Sequence, residues 1–271
     1  NFSGAAIQRP SALYAPDLGV DVTMQKFRCS KTRAECYLMS MLADRSLHFL
    51  VWTNATRSWA MTTLSTNTGF NGSQSFDVEC EDLTGDCLIV FEPNATADNT
   101  FAAMNYTGTL SNAFTVSNGL ETTNGNFKFL SLYPKFNNDS IGIAMQNSAV
   151  SPEISMGLWN GSFWHSFMSG TINGAQRDRR SIDCAWDLSG RFNCFFGNTT
   201  DGVFVREYGG TWTNRLAWNI VAQAWEIDAC GSDPLTNGLT HDLIGLITCD
   251  QDADTNVNIW NTTAKELKGT S

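Results

Sequence analysis

Acidic side chains in or beside short β-like segments are the first groups in this sequence that could do chemistry. A pair of carboxylates can cleave a glycosidic bond, one acting as acid and the other as nucleophile or base. Alternation along a strand can equally place acidic residues on a solvated face, so hydrolysis is a minor alternative. The candidate carboxylates are Asp17, Asp77, Glu79, Asp183, Glu226 and Asp228.

Other catalytic signatures are missing from the sequence. It contains no Gly-x-Ser-x-Gly elbow, no His-Glu-x-x-His pattern and no glycine-rich phosphate loop. His48, His165 and His241 fall in different parts of the chain, which favours structural or exposed roles for each. We therefore predict that the protein is not an enzyme and uses no cofactor.

Aromatic residues followed by tight polar turns form a second group with chemical potential. An aromatic face can stack on a sugar ring while nearby Asn, Asp and Glu side chains bind its hydroxyls. The same residues can instead pack between sheets, and both interpretations stay open. These marker aromatics are Trp52, Tyr106, Trp159, Tyr208 and Trp260, at spacings of 54, 53, 49 and 52 residues.

Eight cysteines stand in local pairs that predict disulfides. Strand-like runs flank each pair, so a bridge would staple two strands near their shared turn. Zinc ligands usually stand closer in sequence and include His, and we predict no metal site. The pairs are Cys29–Cys36, Cys80–Cys87, Cys184–Cys194 and Cys230–Cys249. A fifth member of the series falls near Ser131, where the strand, turn, strand pattern continues without a cysteine.

Cysteines and marker aromatics share one period of about fifty residues, which indicates an internal repeat. Each unit reads as a stapled hairpin followed by a hairpin at the aromatic turn. The predicted fold is all-β, a five-bladed β-propeller of four-stranded blades; two sandwiches share the pattern, but five near-equal units favour a closed ring. The blades would span about 22–70, 71–121, 122–175, 176–221 and 222–271. Residues 1–21 would form an N-terminal arm that closes the ring or pairs with a neighbouring subunit.

Charge and composition favour an extracellular protein. With 17 basic and 27 acidic residues the formal charge is -10, which disfavours nucleic acid and anionic membranes as partners. No stretch approaches the roughly 18 apolar residues needed for membrane insertion. Asn1 in place of Met suggests a removed signal peptide, and the even number of cysteines fits an oxidising compartment. We predict a secreted protein, extracellular or on the cell surface.

Nine Asn-x-Ser/Thr sequons predict N-glycosylation. Asn54, Asn160 and Asn261 occupy the same turn of repeats one, three and five, so glycans there would cover one rim of the disc. The nine sites are Asn1, Asn54, Asn71, Asn94, Asn105, Asn138, Asn160, Asn198 and Asn261.

Repeat four, DCAWDLSGRFNCFFGNTTDGVFVREYGGTWTNRL, resembles a blade of the fungal fucose-binding, Aleuria-type propeller lectins. In that family a strand, a polar turn, a strand ending in Glu and a Gly-Trp turn follow one another. The resemblance implies sugar sites between adjacent blades, with Glu207 as the sugar-binding Glu and Trp212 as the turn aromatic. Phe195 stands where the family has an arginine, and those lectins generally have six blades.

These observations together predict a non-catalytic, lectin-like module that binds glycans or glycoproteins. The alternative is a structural subunit of an extracellular filament that joins copies of itself through the N-terminal arm. The predicted ligand-binding residues are Trp52, Trp159, Glu207, Tyr208, Trp212 and Trp260.

Overall fold

The computed structural model describes residues 18–68, 73–93, 100–117, 126–147, 153–171, 179–197, 202–218, 224–231, 243–250 and 255–270. These residues form five sheets, each of four antiparallel strands in sequential order. The predicted all-β class and the count of five four-stranded sheets are confirmed. We number the sheets blades 1 to 5 in chain order.

The twenty strands have the following bounds. Blade 1 contains β1 (Val22–Cys29), β2 (Glu35–Leu42), β3 (Leu47–Thr53) and β4 (Ser58–Ser65). Blade 2 contains β5 (Phe76–Cys80), β6 (Cys87–Phe91), β7 (Thr100–Tyr106) and β8 (Phe114–Ser117). Blade 3 contains β9 (Phe127–Pro134), β10 (Ile141–Asn147), β11 (Glu153–Trp159) and β12 (Trp164–Thr171). Blade 4 contains β13 (Ile182–Trp186), β14 (Phe192–Gly197), β15 (Val203–Tyr208) and β16 (Trp212–Trp218). Blade 5 contains β17 (Ala224–Gly231), β18 (Leu243–Asp250), β19 (Thr255–Asn261) and β20 (Glu266–Thr270).

Burial along the strands shows how the blades pack. Every residue of β10 and of β14 is buried, because a sheet between two others buries both of its faces. Strand β15 alternates between buried and half-buried positions. Apolar clusters of the described residues join blade 1 to blade 2, blade 2 to blade 3, blade 3 to blade 4, and blade 4 to blade 5.

The first strands of the five blades surround a central cavity of about 920 Å³. Its lining includes Arg28, Glu79, Tyr133, Asp183 and Cys230, one from each blade. Successive first strands also contact one another, from β1 to β5, β5 to β9, β9 to β13 and β13 to β17. The blades therefore radiate from an axis, as the sequence predicted, while closure of the ring from blade 5 to blade 1 stays a prediction.

Three of the four predicted disulfides are present, each between residues directly opposite one another on the first two strands of a blade. The Cα atoms of Cys29 and Cys36 are 4.0 Å apart. The others are Cys80–Cys87 and Cys184–Cys194. A cross-strand bridge of this kind fixes the register of the hairpin.

The fourth predicted bridge is wrong, because Cys230 and Cys249 are not joined. Cys230 lies opposite Gly245, and Cys249 lies opposite Glu226. The two cysteines are thus four positions apart along the ladder, about 13 Å at the usual rise of a strand, beyond the reach of a disulfide.

The stapled hairpins and the marker-aromatic turns lie at one end of the blades, which we call the stapled rim. Hydrogen bonding shows this in blade 1, where Asn54 donates its backbone N–H to the carbonyl of Ala34 at 2.9 Å. Sequon residues Asn54 and Asn160 are exposed in their turns, and Asn261 is half-buried. The central cavity is lined by the cysteines and turn residues of this same end.

Some predictions lie outside the described residues. They include residues 1–17 of the proposed arm with Asp17, His241, and the sequons Asn1, Asn71, Asn94 and Asn198. Within the described ranges no helix has the length and apolar character to cross a membrane.

Candidate functional site

Arginines of blades 1 and 4 form ion pairs with three of the predicted acidic residues around the axis. Glu79, Asp183 and Asp228 line the central cavity. Arg28 of blade 1 pairs with Glu79 of blade 2. Arg180 of blade 4 lies 3.6 Å from Asp183 and 2.9 Å from Asp228 of blade 5. Their charges therefore connect blades.

Asp77 and Asp183 make the same contact with the blade that follows. The backbone N–H of Leu132 on β9 donates to Asp77 Oδ2 at 2.8 Å, and that of Ala229 on β17 donates to Asp183 Oδ2 at 2.7 Å. A buried backbone donor needs a partner, and these carboxylates supply it between blades. Recurrence of acidic residues in first strands thus has a structural cause.

Burial raises the pKa of the axial carboxyls. The pKa of Asp183 rises to about 6, with burial as the largest cause and Arg180 opposing it. The pKa of Glu79 rises to about 7 through burial and the nearby Asp77, against the effect of Arg28. Protonation near neutral pH therefore occurs at carboxyls that hold blades together.

Two predicted sugar-stacking residues are buried between blades. Trp159 is 2 % exposed and Trp260 is 0 % exposed. The indole N–H of Trp159 donates to Glu81 of blade 2 at 2.9 Å, and that of Trp260 donates to Asn193 of blade 4 at 3.3 Å. Such rings offer no face to a ligand, so the structure places both tryptophans as interblade packing residues rather than ligand contacts.

Four aromatic side chains run along the stapled rim where blade 3 meets blade 4, and we call them the aromatic strip: Phe163, His165, Tyr208 and Trp212. Successive ring centroids are 6.1, 6.2 and 5.3 Å apart. Phe163 is 60 % exposed, and the other three are half-buried. The strip is therefore a row of accessible ring surfaces.

A β-bulge in β12 changes the direction of the blade 3 side chains beside the aromatic strip. Met156 pairs with Met168 and Leu158 with His165, so two residues, Ser166 and Phe167, face the single Gly157. Such a bulge re-aims side chains. Gly157 is required here, since a Cβ at that position would lie 2.4 Å from the ring of Phe167.

Ser166 at the bulge links the two blades by hydrogen bonds. Its φ of 55° lies in the left-handed region, a strained conformation for serine. Its hydroxyl donates to the Tyr208 hydroxyl at 3.0 Å and lies 2.8 Å from His165 Nδ1, while its carbonyl accepts the indole N–H of Trp212. Because the Tyr208 oxygen accepts from Ser166, its own proton is available to a ligand.

Glu207 belongs to a different junction from its neighbour Tyr208. Consecutive strand residues point to opposite faces, and Glu207 turns toward blade 5, where it pairs with Lys265. Nη1 of Arg191 lies 3.8 Å from Glu207 Oε1, and Arg191 also binds Asp187 at 2.9 Å. Glu207 is 5 % exposed, so this polar network closes the junction between blades 4 and 5.

No family model and no curated protein sequence matches this chain. Its fold does have counterparts among solved structures. The lectin of Aleuria aurantia, described as a six-bladed β-propeller with a novel fucose recognition mode, superposes with a TM-score of 0.54 and 12 % identity over 96 % of this chain and 80 % of that chain. A point mutant of the same lectin, in complex with α-methyl-L-fucoside, gives a TM-score of 0.53 and 11 % identity over the same shares. These similarities show an Aleuria-type lectin-like propeller fold.

An enzyme shares the same architecture. The NanB sialidase of Streptococcus pneumoniae superposes with a TM-score of 0.55 and 9 % identity, over 99 % of this chain and 62 % of that chain. The fold thus carries both binding and catalytic proteins, and function has to be argued from the site.

The two residues that the lectin resemblance marks in repeat four lie at different junctions between blades. Glu207 faces blade 5, whereas Trp212 faces blade 3. Phe163 and His165 were not among the predicted site residues; the run LWNGSFW contains Phe163, but only the packing of blades places it beside Tyr208. Among the described residues no cluster of three or more His, Cys, Asp or Glu side chains is arranged to hold a metal ion.

Proposed function

We propose that this protein is a lectin-like module that binds carbohydrate at the aromatic strip without altering it. The observation that carries the proposal is a row of accessible rings beside a hydroxyl donor, at a junction between two blades. Ring faces of Phe163 and Trp212 would stack on a sugar. The Tyr208 hydroxyl would donate to one of its oxygens.

Fucosides are the first ligands to test, because the similar Aleuria aurantia structure contains one. The polar set here differs from that lectin's pattern, with Phe195 at the place of the arginine and Glu207 closed off by Lys265. A broad glycan array is therefore the first experiment, followed by isothermal titration with the best ligand. If no glycan on the array is bound, the proposal is wrong.

Phe163→Ala gives the sharpest test of the strip, since this exposed ring has little structural role to lose. Removing one stacking ring should cost about 1.4 kcal/mol or less, so affinity should fall up to about tenfold. Phe27→Ala is the matched control, because Phe27 is 52 % exposed on blade 1. If both variants bind the glycan as tightly as the native protein does, Phe163 and the aromatic strip do not form the binding site.

Catalysis is not part of the proposal, because the axial carboxylates are engaged between blades. Asp183 accepts bonds from Tyr133 and from the backbone of Ala229, and burial raises the pKa of Tyr133 further above its usual range. Release of free sugar from any bound glycan, measured by chromatography, would contradict this part of the proposal.

Secretion and N-glycosylation complete the proposed setting. Three stapled hairpins fit an oxidising compartment, and Asn54 and Asn160 stand in exposed turns. Mass spectrometry of protein from a eukaryotic secretory host should find glycans at both sites, removable by a peptide N-glycosidase. Unmodified peptides for both residues would refute glycosylation of the rim.

A further inference from the structure

Arg206 on β15 is a half-buried arginine that has no partner within the protein. It has neither a hydrogen bond nor an ion pair in the part of the chain that the structure describes. Every other half-buried arginine there has an acceptor, which is a carboxylate in four cases and a backbone carbonyl in the fifth. They are Arg28, Arg33, Arg180 and Arg191, which form ion pairs, and Arg45, which donates to the carbonyl of Thr68.

The surroundings of Arg206 leave its donors unused. Burial lowers the pKa of the guanidinium, because a charge held partly away from water without a counter-ion is unfavourable. Its Cζ lies over the ring of Phe196, 6.0 Å from the ring centroid. Attraction to an aromatic face holds a cation in such a position, but this contact occupies none of the five N–H donors of an arginine. The edge of the guanidinium is therefore available to an acceptor from outside the chain.

Arg206 faces the same junction as the aromatic strip. It stands two residues before Tyr208 on β15, so the two side chains lie on the same face of the sheet, about 7 Å apart along the strand. Phe196, which contacts the guanidinium, belongs with Tyr208 and Trp212 to the apolar cluster that joins blades 3 and 4. A cation thus stands beside the row of accessible rings, within reach of one ligand.

An anionic group is the ligand chemistry that suits this cation. The planar guanidinium binds a carboxylate, or the similar oxygens of a sulfate ester, through paired N–H donors. The acidic neighbour Glu207 turns away toward Lys265 of blade 5. The formal charge of -10 on the whole chain repels anions, but that field is screened beyond about 8 Å at physiological ionic strength. The local charge at Arg206 therefore governs contact.

We propose that Arg206 binds an acidic group of the glycan, a carboxylate or a sulfate ester, while the sugar itself stacks on the aromatic strip. This inference rests on the proposed function and names its ligand class, acidic rather than neutral carbohydrate. Phe163 and Trp212 contact the sugar ring, and Arg206 selects for the charge. The predicted ligand residue Trp52 lies on β3 of blade 1, outside this junction.

Matched pairs of ligands test this selection on the native protein, without any variant. The array contains oligosaccharides of uronic acids beside their methyl esters, and sulfated galactosides beside the unsulfated ones. Isothermal titration then compares the best ligand with its counterpart. The acidic member should bind about tenfold to a hundredfold more tightly, as expected for hydrogen bonds to a charged group. The pair that shows this preference distinguishes a carboxylate from a sulfate ester.

Arg206→Gln removes the charge from the protein side. Affinity for the acidic member should fall to that of its neutral counterpart, whose own affinity should not change. Arg57→Gln is the matched control, because Arg57 is exposed in the turn between β3 and β4 of blade 1 and its loss changes the net charge equally. The denaturation midpoint of Arg206→Gln should equal or exceed that of the native protein, since a half-buried cation without a partner is removed.

Four outcomes overturn the inference. Equal or tighter binding of the neutral member, with affinity still lost in Phe163→Ala, does so and leaves the proposed function standing. Failure of every glycan to bind overturns both proposals. An acidic preference that Arg206→Gln does not reduce places the charged contact elsewhere. A lower denaturation midpoint in Arg206→Gln means that the guanidinium has a partner in the protein and is not free for a ligand.

Discussion

Blade 4 makes two very different junctions through adjacent residues of one strand. On the side of blade 3, Tyr208 meets a bulge and an open row of aromatic rings. On the side of blade 5, Glu207 is enclosed by Lys265 and Arg191. Both residues were predicted to bind ligand, Glu207 from the lectin resemblance and Tyr208 from its aromatic turn, yet the packing of the neighbouring blade leaves Tyr208 accessible and encloses Glu207.

Whether a candidate residue can bind a ligand therefore depends on the side chains that the neighbouring blade places around it. Lys265 comes from a turn of blade 5, whereas blade 3 contributes Ser166 in a left-handed conformation. A buried ion pair stabilises the junction only when both partners stay in place. A strained, half-buried residue at a β-bulge is typical of functional sites. Substitutions can therefore test each junction separately.

The largest expected effect follows from breaking the closed junction. Lys265→Met takes the closest cation from the buried Glu207 carboxylate and leaves Arg191 at 3.8 Å. Removing one partner of a buried pair costs about 3 to 5 kcal/mol, so chemical denaturation should show a loss of this order. Glycan affinity of the folded fraction should not change, because the aromatic strip faces the other blade.

The matched control for that variant is Lys265→Met combined with Glu207→Gln. It also removes the carboxylate charge that has lost its closest cation, and it should recover most of the lost stability. If the single variant is as stable as the native protein, Glu207 is not closed off in solution, and the family's sugar site at this junction becomes the better hypothesis.

A smaller effect is expected at Asp183, which takes part in both junctions through Tyr133 and Ala229. Its folded pKa of about 6 lies above the value of an unfolded Asp. The folded state therefore binds the proton more tightly, and stability from this group is present below pH 4 and lost as pH rises through 6. The free energy of unfolding should therefore decline with rising pH by about 2 to 3 kcal/mol less in Asp183→Asn than in the native protein.

Denaturation midpoints of native protein and Asp183→Asn between pH 4 and 7.5 measure this difference. Glu79 and other groups titrate in both proteins, so the difference between the two curves isolates Asp183. Parallel curves would mean that this carboxyl is already ionised at low pH, and that burial does not raise its pKa.

Much of the fold could be predicted from sequence, because the paired cysteines and the turn aromatics recur at one spacing. Stapled hairpins and aromatic turns repeat at one spacing, and that periodicity indicated five four-stranded sheets. The prediction of the last disulfide was wrong because Cys249 lies near the end of β18. There the register of β17 and β18, rather than closeness in sequence, decides which residue lies opposite. Ser131 did mark a blade without a staple, on strand β9.

The candidate site could be predicted only in part. Tyr208 and Trp212 were named from turn pattern and resemblance, and the structure leaves both half-exposed. Trp159 and Trp260 have the same local pattern but are buried by the preceding blade. Local sequence gives the type of side chain in a turn, whereas its exposure depends on residues about fifty positions away in the neighbouring repeat.

The smallest expected effect on stability tests the open junction, at Ser166. Ser166→Gly relieves the left-handed strain of this residue, a gain of about 1 kcal/mol, and loses a hydroxyl hydrogen bond of similar value. Stability should therefore stay within about 1 kcal/mol of the native protein. Glycan affinity should fall nonetheless, because the Tyr208 hydroxyl loses the donor that directs its proton outward.

Ser166→Asn, which tolerates the same backbone conformation, provides the control for strain. Native affinity in Ser166→Gly would show that the Tyr208 hydroxyl takes no part in binding and that stacking alone holds the ligand.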